Sequence, residues 1–172
     1  MRVGTRLTLV VGMLAATPSL AHAQDTGRWA IDTGNGRATA STLSLNTLST
    51  GSRVIDYHPV LYLSCDAKRF PVWRQSVQIR DSVSSERMVD VAIRMDNARA
   101  FTEQWTVAPK ARSLHFDGDE GISRLTRARR FALSWRFGLF SGRGEAVFNL
   151  VGVKETVAQL AEACGAPAPG ST

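Results

Sequence analysis

Cysteine, histidine and tyrosine are scarce in this chain of 172 residues, which holds two, three and two of them respectively. The cysteines, Cys65 and Cys164, stand far apart, so a CxxC redox motif is excluded. His22 falls in the N-terminal segment, which leaves His58 and His115 as the only bases of their type for nucleophilic catalysis. Neither accompanies a G-x-S-x-G elbow, an S-x-x-K or an H-E-x-x-H motif. Long apolar runs are missing too. The stretch from Leu7 to Ala16 is about half of the roughly 20 residues that cross a bilayer, so no stable membrane insertion is expected. Internal repeats, linkers and low-complexity blocks are absent as well.

What is present at the start, MRVGTRLTLVVGMLAATPSLAHAQ, has Arg2 and Arg6 ahead of an apolar core, then Pro18 and the small-residue triplet Ala21-His22-Ala23. That is the layout of a secretory signal peptide over residues 1–23, cut after Ala23, with a periplasmic destination. The formal charge of +6 falls to +4 once Arg2 and Arg6 leave. Such a surplus pulls mildly toward anionic surfaces, and nucleic acid is not an expected partner in an exported compartment. Thiols are not held reduced there, so Cys65 and Cys164 are expected to form a disulfide. The chain-entropy picture assigns roughly 4 to 5 kcal/mol to closing a loop of about a hundred residues.

Residues 24–36 are polar and glycine-containing and read as a flexible segment; 37–165 read as one domain; 166–172, APAPGST, read as a disordered tail. Within the domain, apolar residues alternate with polar ones, the period of strands buried on one face. Leu43 and Leu45, then Leu61, Leu63 and Cys65, then Val77 and Ile79, then Val89 to Met95 follow this rule. FALSWRFGL is the clearest run, and Phe101, Trp105, Phe148 and Leu150 mark further strands. DGDEGISRLTRARR and VKETVAQLAEAC switch to helical spacing. The expected fold is α+β: an antiparallel β-sheet or sandwich core with a middle helix, a C-terminal helix and one disulfide. Cys65 shares a strand face with Leu61 and Leu63, and Cys164 lies on the apolar stripe of the last helix.

Few groups offer chemistry. Asp117, Asp119 and Glu120 do not fit a calcium loop, because the twelfth position is Ala128. They read instead as a helix start: Asp117 or Asp119 as the cap, Glu120 in the first turn and paired with Arg124. Arg124, Arg127 and Arg130 fall on one side of the predicted helix, a solvated face or a candidate surface for an anionic partner. Trp73 is a core plug or a binding anchor, and Trp105 likewise. Glu103 and Glu145 are carboxylates that nothing in the sequence brings together for glycoside chemistry. No metal, cofactor or catalytic set is expected.

The ordered set of Leu61 to Cys65, the Arg94-Met95-Asp96 triplet, Trp105, the spacing of Phe148, Leu150 and Gly152, and a final helix ending in Cys164 resembles the VasI/TagO group of periplasmic proteins associated with type VI secretion. The likeness spans roughly Leu61 to Gly165. It implies an exported accessory protein without known catalytic residues, the Cys65–Cys164 pairing, and Arg94 with Asp96 as a strand-fixing ion pair. TVAPKARSLHF departs from the pattern in lacking a Ser/Asp-rich turn, and the end of the chain in lacking an aromatic. The expected function is a non-catalytic accessory or binding protein acting on a protein or cell-wall partner; the alternative is an inhibitor of an exported cell-wall hydrolase.

Overall fold

The structure, a computed structural model, describes residues 28–34, 36–50, 53–81, 83, 87–108, 112–136 and 142–170. The expected signal peptide lies outside them. Eleven strands and two helices follow one another: β1 (Ala30–Gly34), β2 (Arg37–Leu43), β3 (Leu48–Thr50), β4 (Arg53–Tyr57), β5 (Val60–Asp66), β6 (Trp73–Gln78), β7 (Met88–Met95), β8 (Phe101–Ala108), β9 (Ser113–Asp117), α1 (Asp119–Leu125), β10 (Arg130–Arg136), β11 (Arg143–Asn149) and α2 (Val153–Cys164). Nine strands form one antiparallel sheet in the order β1, β2, β5, β6, β9, β8, β7, β10, β11, and β3 with β4 makes a separate hairpin. The α+β architecture is as expected, built on one main sheet.

The alternation read from the sequence sets the register. Leu61, Leu63 and Cys65 stand opposite Val77, Gln75 and Trp73 on the inner face. Across the sheet Ile93 pairs with Leu133, and Phe131 with Phe148, whose rings stack 6.0 Å apart. All of these side chains are buried. Each such aromatic or aliphatic side chain contributes about 1.5–3 kcal/mol when removed from water.

The two ends of the sheet are tied together. β1 covers β2 only over Arg37–Ser41. Beyond it the Leu45 N–H donates to the Val147 carbonyl at 2.7 Å, while the Asn46 side chain accepts from the Val147 N–H at 2.8 Å and donates to the Glu145 carbonyl at 2.7 Å. One amide side chain thus stands in for a strand residue along β11, and the sheet is rolled rather than flat. That arrangement occupies backbone groups that an open edge would offer to another chain.

α2 packs Val153, Thr156, Val157, Leu160, Ala161 and Cys164 inward, the i, i+3/i+4 stripe expected of an amphipathic helix. It ends at Gly165, whose φ of 69° is a left-handed conformation glycine adopts without strain, and the Ala166 N–H closes back on the Ala161 carbonyl. The Cys65–Cys164 disulfide joins α2 to β5, with Cα atoms 6.1 Å apart and a sequence separation of 99. α1 lies over β6 and β9. A Cβ on Gly121 stands 2.7 Å from Gln75 Oε1 and 2.8 Å from a Phe116 ring carbon, so this close approach needs glycine.

Four expectations change. α1 stops at Leu125, because the Thr126 hydroxyl turns back to the Ser123 carbonyl and Arg130 already belongs to β10; the arginine run is therefore not one helical face. The cap of α1 is Gly118 without a side-chain hydrogen bond, and only Asp119 and Glu120 serve its first turn. Residues 30–34 of the segment expected to be flexible form β1, held by backbone pairing with β2 while their side chains stay exposed, which composition does not register. Residues 166–170 of the expected disordered tail lie on the domain: Ala166 and Ala168 pack against the core, and the Trp73 ring nitrogen donates to the Pro167 carbonyl at 3.1 Å.

Candidate functional site

The charged groups singled out in the sequence are mostly tied into the scaffold. Arg124 forks onto Glu103 with two hydrogen bonds of 2.8 and 2.9 Å, and lies 5.3 Å and 5.1 Å from the ring centres of Phe101 and Phe116. Glu103 also accepts from the Trp105 ring nitrogen at 2.9 Å. Charge pairing, bidentate geometry and two flanking rings therefore hold one guanidinium against the inner face of β8. Glu120 reaches Arg124 only at 3.9 Å, so the expected helical pair is the minor contact. Arg127 is exposed and donates to the Ser123 hydroxyl at 2.9 Å, and Arg130 is exposed at the start of β10. Arg124 and Arg127 border a shallow depression of about 380 Å³ with Met95–Ala98 and Ala128. Of the three arginines, only Arg127 and Arg130 are open to a partner.

Trp73 is 1% exposed and faces Cys65 across β5 and β6; it is a core residue and cannot anchor a partner. Trp105 is fully buried. Arg94 and Asp96 do not meet as the resemblance implied. Arg94 approaches Glu145 at 3.8 Å on β11, and Asp96 Oδ1 accepts from the backbone N–H groups of Arg129 and Arg130 at 2.9 and 2.8 Å. Arg94 lies on β7, whereas Asp96 follows the end of that strand with φ of 49° and turns toward the start of β10. Glu103 and Glu145 are accordingly held by different arginines on opposite faces of the sheet.

His58 precedes β5, and His115 lies within β9, in a row with Ser76 of β6 and Tyr62 of β5. His58 Nδ1 lies 2.7 Å from the Ser44 carbonyl, which can only accept, so that nitrogen carries the proton. His115 Nε2 lies 3.0 Å from the Ser113 hydroxyl, and its Nδ1 is buried without a hydrogen-bond partner. Burial, then the neighbouring Arg74, pushes the His115 pKa down from its ordinary value. Arg74 is committed to Asp117, with its Nε against Oδ1 and its Nη2 2.9 Å from Oδ2, and this hydrogen bonding holds the Asp117 carboxyl below its usual range. A serine hydroxyl within reach of a histidine is one half of a nucleophilic arrangement. Here Ser113 is 6% exposed, and no carboxylate hydrogen-bonds to the other ring nitrogen. Among the described residues no group of three or more His, Cys, Asp or Glu is placed to hold a metal ion, and no helix is long and apolar enough to cross a membrane.

One feature escapes the scaffold. The loop between β5 and β6, Ala67–Val72, carries Phe70 with 99% of its surface exposed, next to exposed Lys68 and Arg69. The base of that loop is fixed from several directions. Cys65 is in the disulfide, and Asp66 is bridged by Arg37 at 2.7 Å. The Asp66 carboxylate accepts from the Lys68 N–H and its carbonyl from the Arg69 N–H, both at 3.0 Å, while its own N–H donates to the Val72 carbonyl at 3.0 Å. The Phe70–Pro71 bond is cis. A large apolar side chain in water on a tightly held loop is the arrangement of a recognition element. The sequence signal for it was the Phe-Pro step directly after two cations, where the strand alternation breaks. Comparison with protein-family models, with curated proteins and with solved structures gave no match.

Proposed function

We propose that this is an exported, non-catalytic accessory protein of the VasI/TagO kind, which docks through the Lys68–Phe70 loop onto a protein or cell-wall partner in the periplasm. The observation that carries this reading is the fully exposed Phe70 between cations and a rigid, disulfide-anchored base. The loop backbone that carries Phe70 is already held, so docking orders little beyond the ring itself, and Lys68 and Arg69 add steering toward an acidic rim. Insertion into lipid is the weaker alternative. About 1 kcal/mol for each cation and about 2 kcal/mol for one ring amount to less than a single myristoyl chain, itself marginal.

The test places a photo-reactive phenylalanine analogue at position 70 of the exported protein and crosslinks in the periplasm, alongside sedimentation of the purified domain with cell-wall sacculi. A single adduct or saturable sedimentation that disappears in Lys68→Glu/Arg69→Glu carries the proposal. The absence of both adduct and sedimentation would contradict it. The projecting, cationic loop also favours a second reading, an inhibitor whose loop enters the acidic cleft of an exported hydrolase. In that case lysozyme activity falls at micromolar protein and recovers with Phe70→Ser; undiminished activity excludes that target.

A further inference from the structure

The geometry points to a binding site for a small organic carboxylate with an apolar body, in a hollow at the end of the sheet remote from Phe70. The two are separated by the seven residues of β5, about 20 Å at about 3.3 Å per residue, so this site is independent of the docking loop. Its floor is a row across three strands, since Leu43 of β2 pairs with Val60 of β5, which pairs with Gln78 of β6. Tyr57 and His58 at the end of the β3–β4 hairpin, and Ile79 and Arg80 after β6, supply the walls. The hollow is open to solvent on one side and holds about 460 Å³, within the range of small-molecule sites, roughly 300–1,000 Å³.

These walls are built rather than loosely apposed. The His58 ring is tied to the Ser44 carbonyl, the Ser44 N–H to the Pro59 carbonyl, and the Ile79 N–H to the Arg112 carbonyl. The lining sorts into an apolar part, Leu43, Val60, Ile79 and the Tyr57 ring, and one fixed cation. The Arg80 guanidinium lies 5.5 Å from the centre of the Tyr57 ring. A cation settled on a ring by its face keeps its N–H edges for a planar, two-oxygen acceptor, which is the geometry of a carboxylate. His58 does not add to the anion's binding: with its Nδ1–H committed to Ser44, Nε2 of the neutral ring is an acceptor that a carboxylate oxygen avoids, so Arg80 is the group that holds the anion. The Tyr57 hydroxyl is buried beside the backbone of Arg80 and Asp81, so it belongs to the wall and the ring alone faces the ligand. Asp81 is the acid near this phenol and opposes a bound anion.

The probe is hexanoate, titrated into the disulfide-intact protein and followed by amide NMR shifts, with 1-hexanol as the uncharged control. Saturable shifts are expected at residues 57–60 and 78–80 in the millimolar range proper to so small a ligand. Hexanol should bind at least about tenfold more weakly, and Arg80→Gln, an exposed change that leaves the fold intact, should weaken hexanoate by a similar factor. Asp81→Asn should tighten it, and Phe70→Ser should leave it unchanged. The assignment is overturned if no saturable shift occurs, if the shifts map elsewhere, if hexanol binds as well as hexanoate, or if Arg80→Gln binds as well as the natural chain.

Discussion

At the scale of single residues, Glu103 carries the most consequence. It accepts from Arg124 twice and from Trp105 once, in a setting where its side chain is 15% and that of Arg124 20% exposed. Removing one partner leaves the other charge and a tryptophan N–H without their acceptor. Glu103→Ala is expected to lower unfolding free energy by about 2–4 kcal/mol in urea titrations, and Glu103→Leu with Arg124→Leu by clearly less than the sum of the two single changes. His115 makes a second, pH-dependent prediction. Its folded pKa lies below its ordinary value of 6.5, chiefly from burial, with Arg74 and Arg69 adding to the effect and Asp117 opposing it. As pH falls from about 6.5, the unfolded chain takes up the proton before the folded chain does, so this contribution to stability is complete above that pH and is lost on acidification. Stability between pH 7.5 and 5 should fall less steeply in His115→Asn; parallel curves would contradict the assignment. Little of this was legible in the sequence. Glu103, Arg124 and His115 each stood out as charged or titratable, but their partners lie on strands that only the sheet order brings together.

At the scale of elements, legibility depended on which force forms the element. β5, β7 and β10 were read from alternation because their inner faces are buried, and α2 from its apolar stripe. β1 was missed because backbone pairing holds it while its side chains face water. The end of α1 was misplaced because a good helical spacing continued past the point where Asp96 captures the N–H groups of Arg129 and Arg130 and starts β10. The tail past Cys164 was taken for a free end since proline, alanine and glycine give no periodicity, yet its carbonyl at Pro167 is the acceptor that buried Trp73 requires. The seat of α1 on β6 and β9 is testable through Gly121, where a methyl group meets Gln75 and Phe116 below 3.0 Å. Gly121→Ala is expected to cost about 1–3 kcal/mol by overpacking, although alanine favours helices; a gain in stability would show that α1 sits farther out.

At the scale of the whole molecule, one covalent link and one loop belong to the same device. Cys65 is the penultimate residue of the strand from which the Phe70 loop springs, and Cys164 ends the helix that covers the inner face. The disulfide therefore holds the last element of the chain against the base of the presented loop, across a sequence separation of 99. Both cysteines and their inward orientation were legible in the sequence; that the link also braces a recognition loop was not, because Asp66 and Arg37 complete the brace. The most direct test is hydrogen exchange on the native protein, oxidised and after reduction with alkylation, read by mass spectrometry over peptides covering α2 and residues 66–72. The brace predicts that reduction accelerates exchange in both peptides together, while β7, β10 and β11 stay protected. Acceleration confined to α2, with the loop unchanged, would contradict it.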